Sequence, residues 1–272
     1  MSAVLQPPPF GSQLRRWRGQ RGLSQLALAL QADVSARHLS WLETGKAEPS
    51  RAMVLRLAEQ LDLPLRERNA LLVAAGYAPL YRESALDDTA LAPARGALQR
   101  LLDAQEPAPA LAVDRLWNVI AHNRMVPLML QMVAPELRQP PVNALRVSLH
   151  PMGLAPMIEN LAAWRAHSLA RVRRQAHASG DPRMAALLAE LQSYPGPAAS
   201  QGEPPYGVDD VIVPIVINAP LGRLEFITTI TVFGAPHDVT LAELAVETLL
   251  PADRATADKL QQLLDSAEAA VT

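Results

Sequence analysis

Three serines divide the first quarter of the chain, and their spacing is what most restricts its fold. Ser24, Ser35 and Ser50 each stand before a short run whose apolar residues recur at helical spacing. A serine in that position caps a helix, because its hydroxyl accepts from a free backbone N–H in the first turn. Gly22 precedes the first run, and Gly45 follows the second, where a helix often stops in a left-handed conformation. Residues 25–31 and 35–44 are thereby predicted to be two short helices joined by a turn at Asp33-Val34. Helices this short are marginal in isolation, so they must pack into a compact all-α unit. Two short helices joined by a tight turn form a helix-turn-helix, whose second helix enters the DNA major groove.

The helix expected over 35–44 sorts its residues by face. At about 100° per residue, Leu39 and Leu42 fall on one side. Arg37, Ser40, Trp41 and Thr44 fall opposite, with Ala36 and His38 on the flanks. A solvated surface helix sorts its residues in the same way, so the flanking sequence has to decide. That sequence predicts three more helices. One runs from Gly11 to Gln20 with Leu14 and Trp17 as its stripe. One runs from Ser50 to Leu61 with Val54, Leu57, Ala58 and Leu61 at helical spacing. The last opens at Pro64 and ends before Gly76.

The string from Gly22-Leu23-Ser24-Gln25 through Leu28-Ala29, Val34-Ser35, Leu39, Leu42-Glu43, Gly45-Lys46 and Pro49 resembles the Xre/Cro-type helix-turn-helix. The longer run to Tyr81-Arg-Glu-Ser84 is similar to the MmyB-like bacterial transcription regulators. These pair such a domain with a C-terminal ligand-binding domain of PAS-like fold. One departure is that neither Ser24 nor Ser35 has Glu or Gln three residues on, so the reciprocal capping box is absent. The resemblance implies that Gln25 contacts the DNA backbone, and that Ala36, Arg37, His38 and Trp41 lie near base edges. Arg37 suits the O6 and N7 of guanine, and Ala36 suits a thymine methyl. Ser40 can reach a base or a phosphate, and Lys46 and Arg51 are placed for phosphates. The resemblance also implies an Arg18–Glu43 ion pair. Trp41 can read DNA or pack into the core.

Charge supports this division. Residues 1–83 carry 11 Lys+Arg against 7 Asp+Glu, a balance of +4. The remaining 189 residues carry 14 against 20, a balance of −6. Opposite signs suggest that only the first part meets a polyanion.

The rest of the chain predicts an α+β domain. Residues 84–94 are a linker. A helix over 94–104 is followed by strands at 110–113 and 117–120. Helical pieces are expected from Asn123 onward, at 143–149, at 157–179 and at 184–191. A flexible loop spans 194–206, followed by strands at 211–217 and 223–233, a third strand at 241–250 whose Ala and Glu content would also suit a helix, and a last helix at 256–269. The run Arg171-Val-Arg-Arg174 reads as a solvated helix face. The fold class is thus multidomain: an all-α five-helix unit over 10–83, then a PAS-like domain over 95–270 with a five-stranded antiparallel sheet. Asp114, Trp117, Asn123, His150-Pro151 and the stretch from Asp238 to Asp253 resemble the MmyB-like ligand-binding domain.

A PAS-like sheet can curve around an apolar pocket. The resemblance implies a small apolar ligand, with a fatty acid as the best fit. Trp117, Phe226 and Ile230 are candidates to line its pocket, and Asn123 or His150 to hold a polar head. The chain contains no cysteine, which excludes disulfides and thiolate chemistry. None of its six histidines has a metal-binding spacing, and no nucleotide-binding or nucleophile motif appears. No enzyme activity, cofactor or metal is therefore expected. No apolar run approaches the roughly 18 residues that span a bilayer, so a cytoplasmic protein is expected. One small helix-turn-helix makes a small interface, so the expected partners are a double-stranded DNA operator and a second copy of the chain, read as a homodimer. A helix-turn-helix protein-interaction or antitoxin-like module without a small-molecule ligand is the alternative.

Overall fold

The computed structural model describes residues 8–196, 212–234 and 236–269. The chain divides into two compact units. One runs to Ser84 and includes His177–Ser179 and Pro236–Ala242, and the other contains the remainder from Ala85.

The first unit holds α1 (Phe10–Gln20), α2 (Gln25–Gln31), α3 (Ala36–Glu43), α4 (Arg51–Gln60) and α5 (Leu65–Ala74). The three serines act as expected. Ser24 Oγ accepts from Ala27 N at 3.0 Å, Ser35 Oγ from His38 N at 3.1 Å, and Ser50 Oγ from Met53 N at 3.2 Å. Gly45 takes φ +72°, which ends α3 in the left-handed region. Leu14, Trp17, Leu28, Leu39, Leu42, Leu57 and Leu71 form one buried cluster. Gly11 is where α1 meets the end of α3. A Cβ at that position would stand 2.5 Å from both the Leu42 and Glu43 carbonyl oxygens.

The second part begins with a 3-10 turn (Thr89–Leu91) and α6 (Ala92–Asp103), then β1 (Ala110–Val113) and β2 (Val119–His122). The helical segment contains α7 (Met125–Leu130), α8 (Ala144–Leu149), α9 (Leu161–Ser179) and α10 (Pro182–Ser193). It is followed by β3 (Ile215–Ala219), β4 (Gly222–Val232), the one-turn α11 (Val239–Ala242), β5 (Ala245–Pro251) and α12 (Arg254–Ala269). The five strands make one sheet in the order β2-β1-β5-β4-β3, antiparallel at each pairing. The last strand in sequence therefore lies in the middle of the sheet.

Several boundaries differ from the sequence reading. The second strand begins at Val119 rather than Trp117. Trp117 is a corner residue at φ +67°, and the Asp114 carboxylate accepts from Leu116 N at 2.8 Å and Asn118 N at 2.9 Å. α9 begins at Leu161, after a separate 3-10 turn at Ala155–Met157. The span expected to be a strand from 241 splits into α11 and β5, because Asp238 Oδ1 accepts from Thr240 N at 2.8 Å and opens a helical turn. The strand expected from Val211 is regular only from Ile215, and Val211 lies outside the described residues, as does the loop from 197 to 206. No described helix is long and apolar enough to cross a membrane.

Candidate functional site

In the first unit, α3 splits into two halves. Leu39, Leu42 and Glu43 are buried. Arg37 and Trp41 are exposed, and Ala36, His38 and Ser40 are partly so. Trp41, left open between core and surface by the sequence, is 39% exposed. The Arg37 guanidinium lies over its ring, 4.6 Å from the centroid. Thr44 Oγ1 donates back to the Ser40 carbonyl at 2.7 Å. The Lys46 and Arg51 side chains make no hydrogen bond or ion pair among the described residues, so both cations are available.

Beneath this face lies a charged anchor. Arg18 Nε and Nη2 donate to Glu43 Oε1 and Oε2 at 2.5 and 3.0 Å. Gln25 Nε2 donates to Glu43 Oε2 at 2.7 Å. Burial works to raise the Glu43 carboxyl, but the Arg18 guanidinium and the Gln25 amide outweigh it and hold it below the usual carboxylate range. Arg18 is raised by the same bond. The Gln25 side chain is thus fixed to the inner edge of α3 at the start of α2.

In the second unit, the strands and helices line a partly open cavity of about 100 Å³. Leu111 of β1, Val119 of β2, Met129 of α7, Val147 of α8, Trp164 of α9, Ile215 of β3 and Leu249 of β5 form much of its wall. Its polar groups are Ser148, Thr228 and Glu247. Ser148 Oγ accepts from Trp164 Nε1 at 2.8 Å. Glu247 is buried, and Arg171 Nη1 and Nη2 both donate to its Oε1 at 3.3 Å. Burial pushes the Glu247 carboxyl above its usual range, opposed in part by Arg171. Arg171 stacks on Trp117, 4.1 Å from the ring centroid, and Trp117 Nε1 donates to Gln175 Oε1 at 2.8 Å.

Trp117, Phe226 and Ile230, expected to line the pocket, and Asn123 and His150, expected to hold a polar head, all lie outside the wall of this cavity. Trp117 backs Arg171 from behind. Asn123 is a buried staple, donating to the Leu102 and Ala108 carbonyls at 3.2 and 2.8 Å and accepting from Ala110 N at 3.2 Å. His150 Nδ1 accepts from Met152 N, and its ring meets Tyr194 edge-on at 4.9 Å. Phe226 is fully buried in the core, and Ile230 is 44% exposed. The sequence reading missed Glu247 and Arg171. Arg171 is held inward on Trp117 and Glu247, and so does not belong to a solvated face. The available signal was a lone glutamate within the apolar run Leu244–Leu250 and an arginine one turn from Ser168 on the face that carries Trp164.

Among the described residues, no group of three or more His, Asp or Glu is arranged to hold a metal. No curated protein matches the chain. Among solved structures, one match is a helix-turn-helix transcriptional regulator of the HTH_3 family from Vibrio cholerae. It is 30% identical over 24% of this chain and 34% of that one, with a TM-score of 0.21. Another is an RNA-binding light-oxygen-voltage receptor, 14% identical over 94% of this chain and 63% of that one, with a TM-score of 0.27. The chain thus spans about a third of the first protein and under two thirds of the second. A helix-turn-helix domain model matches residues 9–71. The MmyB-like transcription regulator ligand binding domain matches residues 94–263, which is more than half of the chain, and the protein therefore belongs to the MmyB-like transcription regulators.

Proposed function

We propose that this protein is a bacterial, ligand-responsive regulator that binds duplex DNA in a sequence-specific way as a homodimer. The observation that carries this reading is the split of α3: Leu39, Leu42 and Glu43 hold the helix, while Arg37 and Trp41 stand outward. Arg37 reads a guanine edge, Ala36, His38, Ser40 and Trp41 complete the groove contact, Lys46 and Arg51 meet phosphates, and Gln25 reaches a phosphate through the amide N–H not given to Glu43. Two copies read half-sites about one helical turn apart.

The cavity of the second unit binds a small apolar ligand. Its hydrocarbon wall supports this assignment, and the acyl part of a fatty acid satisfies that wall. A ligand changes DNA binding only if it has different affinity for two arrangements of the protein. Here it biases the spacing or angle of the paired DNA-binding units. The protein acts in the cytoplasm without membrane or cofactor.

Selection of bound sequences from a random duplex pool tests the DNA reading. An enriched motif with two half-sites is the expected result, and salt-independent binding without a motif overturns it. Native mass spectrometry of the purified protein tests the ligand reading. A co-purified small lipid-like mass is expected, and the absence of one, with no thermal shift on adding fatty acids, counts against it.

A further inference from the structure

Arg173 and Arg174 stand exposed on α9, in a part of the chain where carboxylates are in excess. Most arginines of that part meet one. Arg124 pairs with Glu106, Arg146 with Glu190 and Arg171 with Glu247. Others, such as Arg165, donate to a backbone carbonyl. From Ala85 on, Arg100, Arg173 and Arg174 are the arginines that make neither contact among the described residues, and two of the three are neighbours on one helix. Its own sequence explains why. Leu161–Ser179 contains no Asp or Glu, so the positions three and four residues from Arg173 and Arg174 supply no counter-charge. The helix dipole does not account for them either. Its pull on cations falls off within the last turn, and both arginines precede that turn. The positive field is felt nearby: burial first, then the charges of Arg171 and Arg174, hold His167 below its usual range. The same helix ends in the first unit, which includes His177–Ser179. Along the helix, Arg174 and Arg173 precede His177 by three and four residues.

We propose that Arg173 and Arg174 bind phosphates of the operator duplex outside the half-site read by α3. The proposal rests on the DNA-binding reading above. The bases of the half-site are taken by α3, so a second contact from the same chain falls on the duplex beyond it. A cation that neutralises a phosphate releases condensed counterions, and a carboxylate partner within the protein would forfeit that gain. The rest of this part of the chain is net negative and repels a polyanion, which leaves the α9 pair as the place where it can touch one. The forked guanidinium suits phosphate oxygens. Contacts of this kind add affinity and register without reading sequence.

Fluorescence anisotropy of the full chain on two duplexes tests this. Both carry the motif enriched from the random pool. One is trimmed to the motif, and the other extends about one helical turn, roughly 10 base pairs, beyond it at each end. Arg173→Ala combined with Arg174→Ala is expected to lower the slope of log affinity against log salt by about two units on the extended duplex and to leave it unchanged on the trimmed one. Lysine at both positions is expected to restore the slope. Thermal melts establish that each variant is folded. An unchanged slope on the extended duplex overturns the proposal, and so does an equal fall on both duplexes. Arg100→Ala, which removes an exposed cation from α6, is expected to leave both slopes as they are; a fall of about one unit there would mean that only net charge is being read, and also overturns it. If no motif is enriched, or the wild type binds neither duplex, the DNA reading and this assignment fall together.

Discussion

Arg37 lies across the ring of Trp41 one helical turn away, with its guanidinium carbon 4.6 Å from the ring centroid. The stack holds a long, flexible cation at one place on the outward face of α3. It also explains how a tryptophan is stable there, since the arginine covers part of the ring. Arg37→Ala is expected to cost about 1–3 kcal/mol of operator binding and to relax one operator position. Trp41→Ala is expected to couple to it by about 0.5–1 kcal/mol in a double-mutant cycle, from the lost stacking alone. Binding curves on an operator and its single-base variants check both. An equal loss on every sequence would reduce Arg37 to a phosphate contact.

Lys46 follows the left-handed glycine that ends α3, and its side chain has no partner among the described residues. Lys46→Ala should weaken binding evenly across sequences and lower the slope of log affinity against log salt by about one unit. Fluorescence anisotropy at four salt concentrations measures the slope. A slope equal to that of the wild type removes Lys46 from the interface.

The Arg18–Glu43–Gln25 cluster makes the first unit sensitive to acid. The folded carboxyl of Glu43 is held below its unfolded value. Its contribution is therefore complete above the unfolded pKa of about 4.3 and is lost as pH falls through the lower folded value. Glu43→Ala is expected to cost about 3 kcal/mol, because it leaves Arg18 without its partner. Thermal melts of wild type and Glu43→Gln from neutral to acid pH check the sign. The wild type should lose its advantage on acidification, and an advantage that grows would refute the linkage.

Gly11 allows α1 to touch the end of α3 backbone to backbone. Gly11→Ala places a methyl 2.5 Å from two carbonyl oxygens that belong to the chain itself, so no side chain can swing away. A loss of about 2–3 kcal/mol is expected in urea unfolding. A neutral result would mean that the two helices separate easily.

Val147 faces the cavity from α8. Val147→Phe should fill part of the space at a cost of about 1–3 kcal/mol. Hexanol should raise the melting temperature of the wild type and leave that of the filled variant unchanged. An equal rise in both would place the ligand elsewhere.

The first unit was legible because its signals are local. Ser24, Ser35 and Ser50 cap within three residues of themselves, and the leucines of each helix repeat on its own face. The five-stranded antiparallel character of the second unit was legible from its β-branched runs. The cavity was not. Its walls come from residues as distant as Leu111 and Leu249, and no periodicity distinguishes a wall from a core position. Trp117 misled for a different reason. Its left-handed backbone is uncommon for an aromatic residue, so a strand was the natural expectation, and the ring then turns toward Arg171 instead of the cavity. Glu247 was obscured because Ala and Glu within 241–250 suit a helix as well as a strand.

The position of β5 also has a bearing on the order of assembly. Its pairing with β1 joins Ala110 to Thr248, across more than half the chain, and it separates β1 from β4. Until that late segment arrives, the earlier strands remain as two unconnected pairs and no enclosure exists. The contacts of the helical first unit are mostly short in sequence, and such contacts form quickly. A refolding experiment should therefore show helical signal recovering in a fast phase and hexanol uptake in a slower one. Between the two phases the protein has a formed DNA-reading helix and a sensor that cannot yet report.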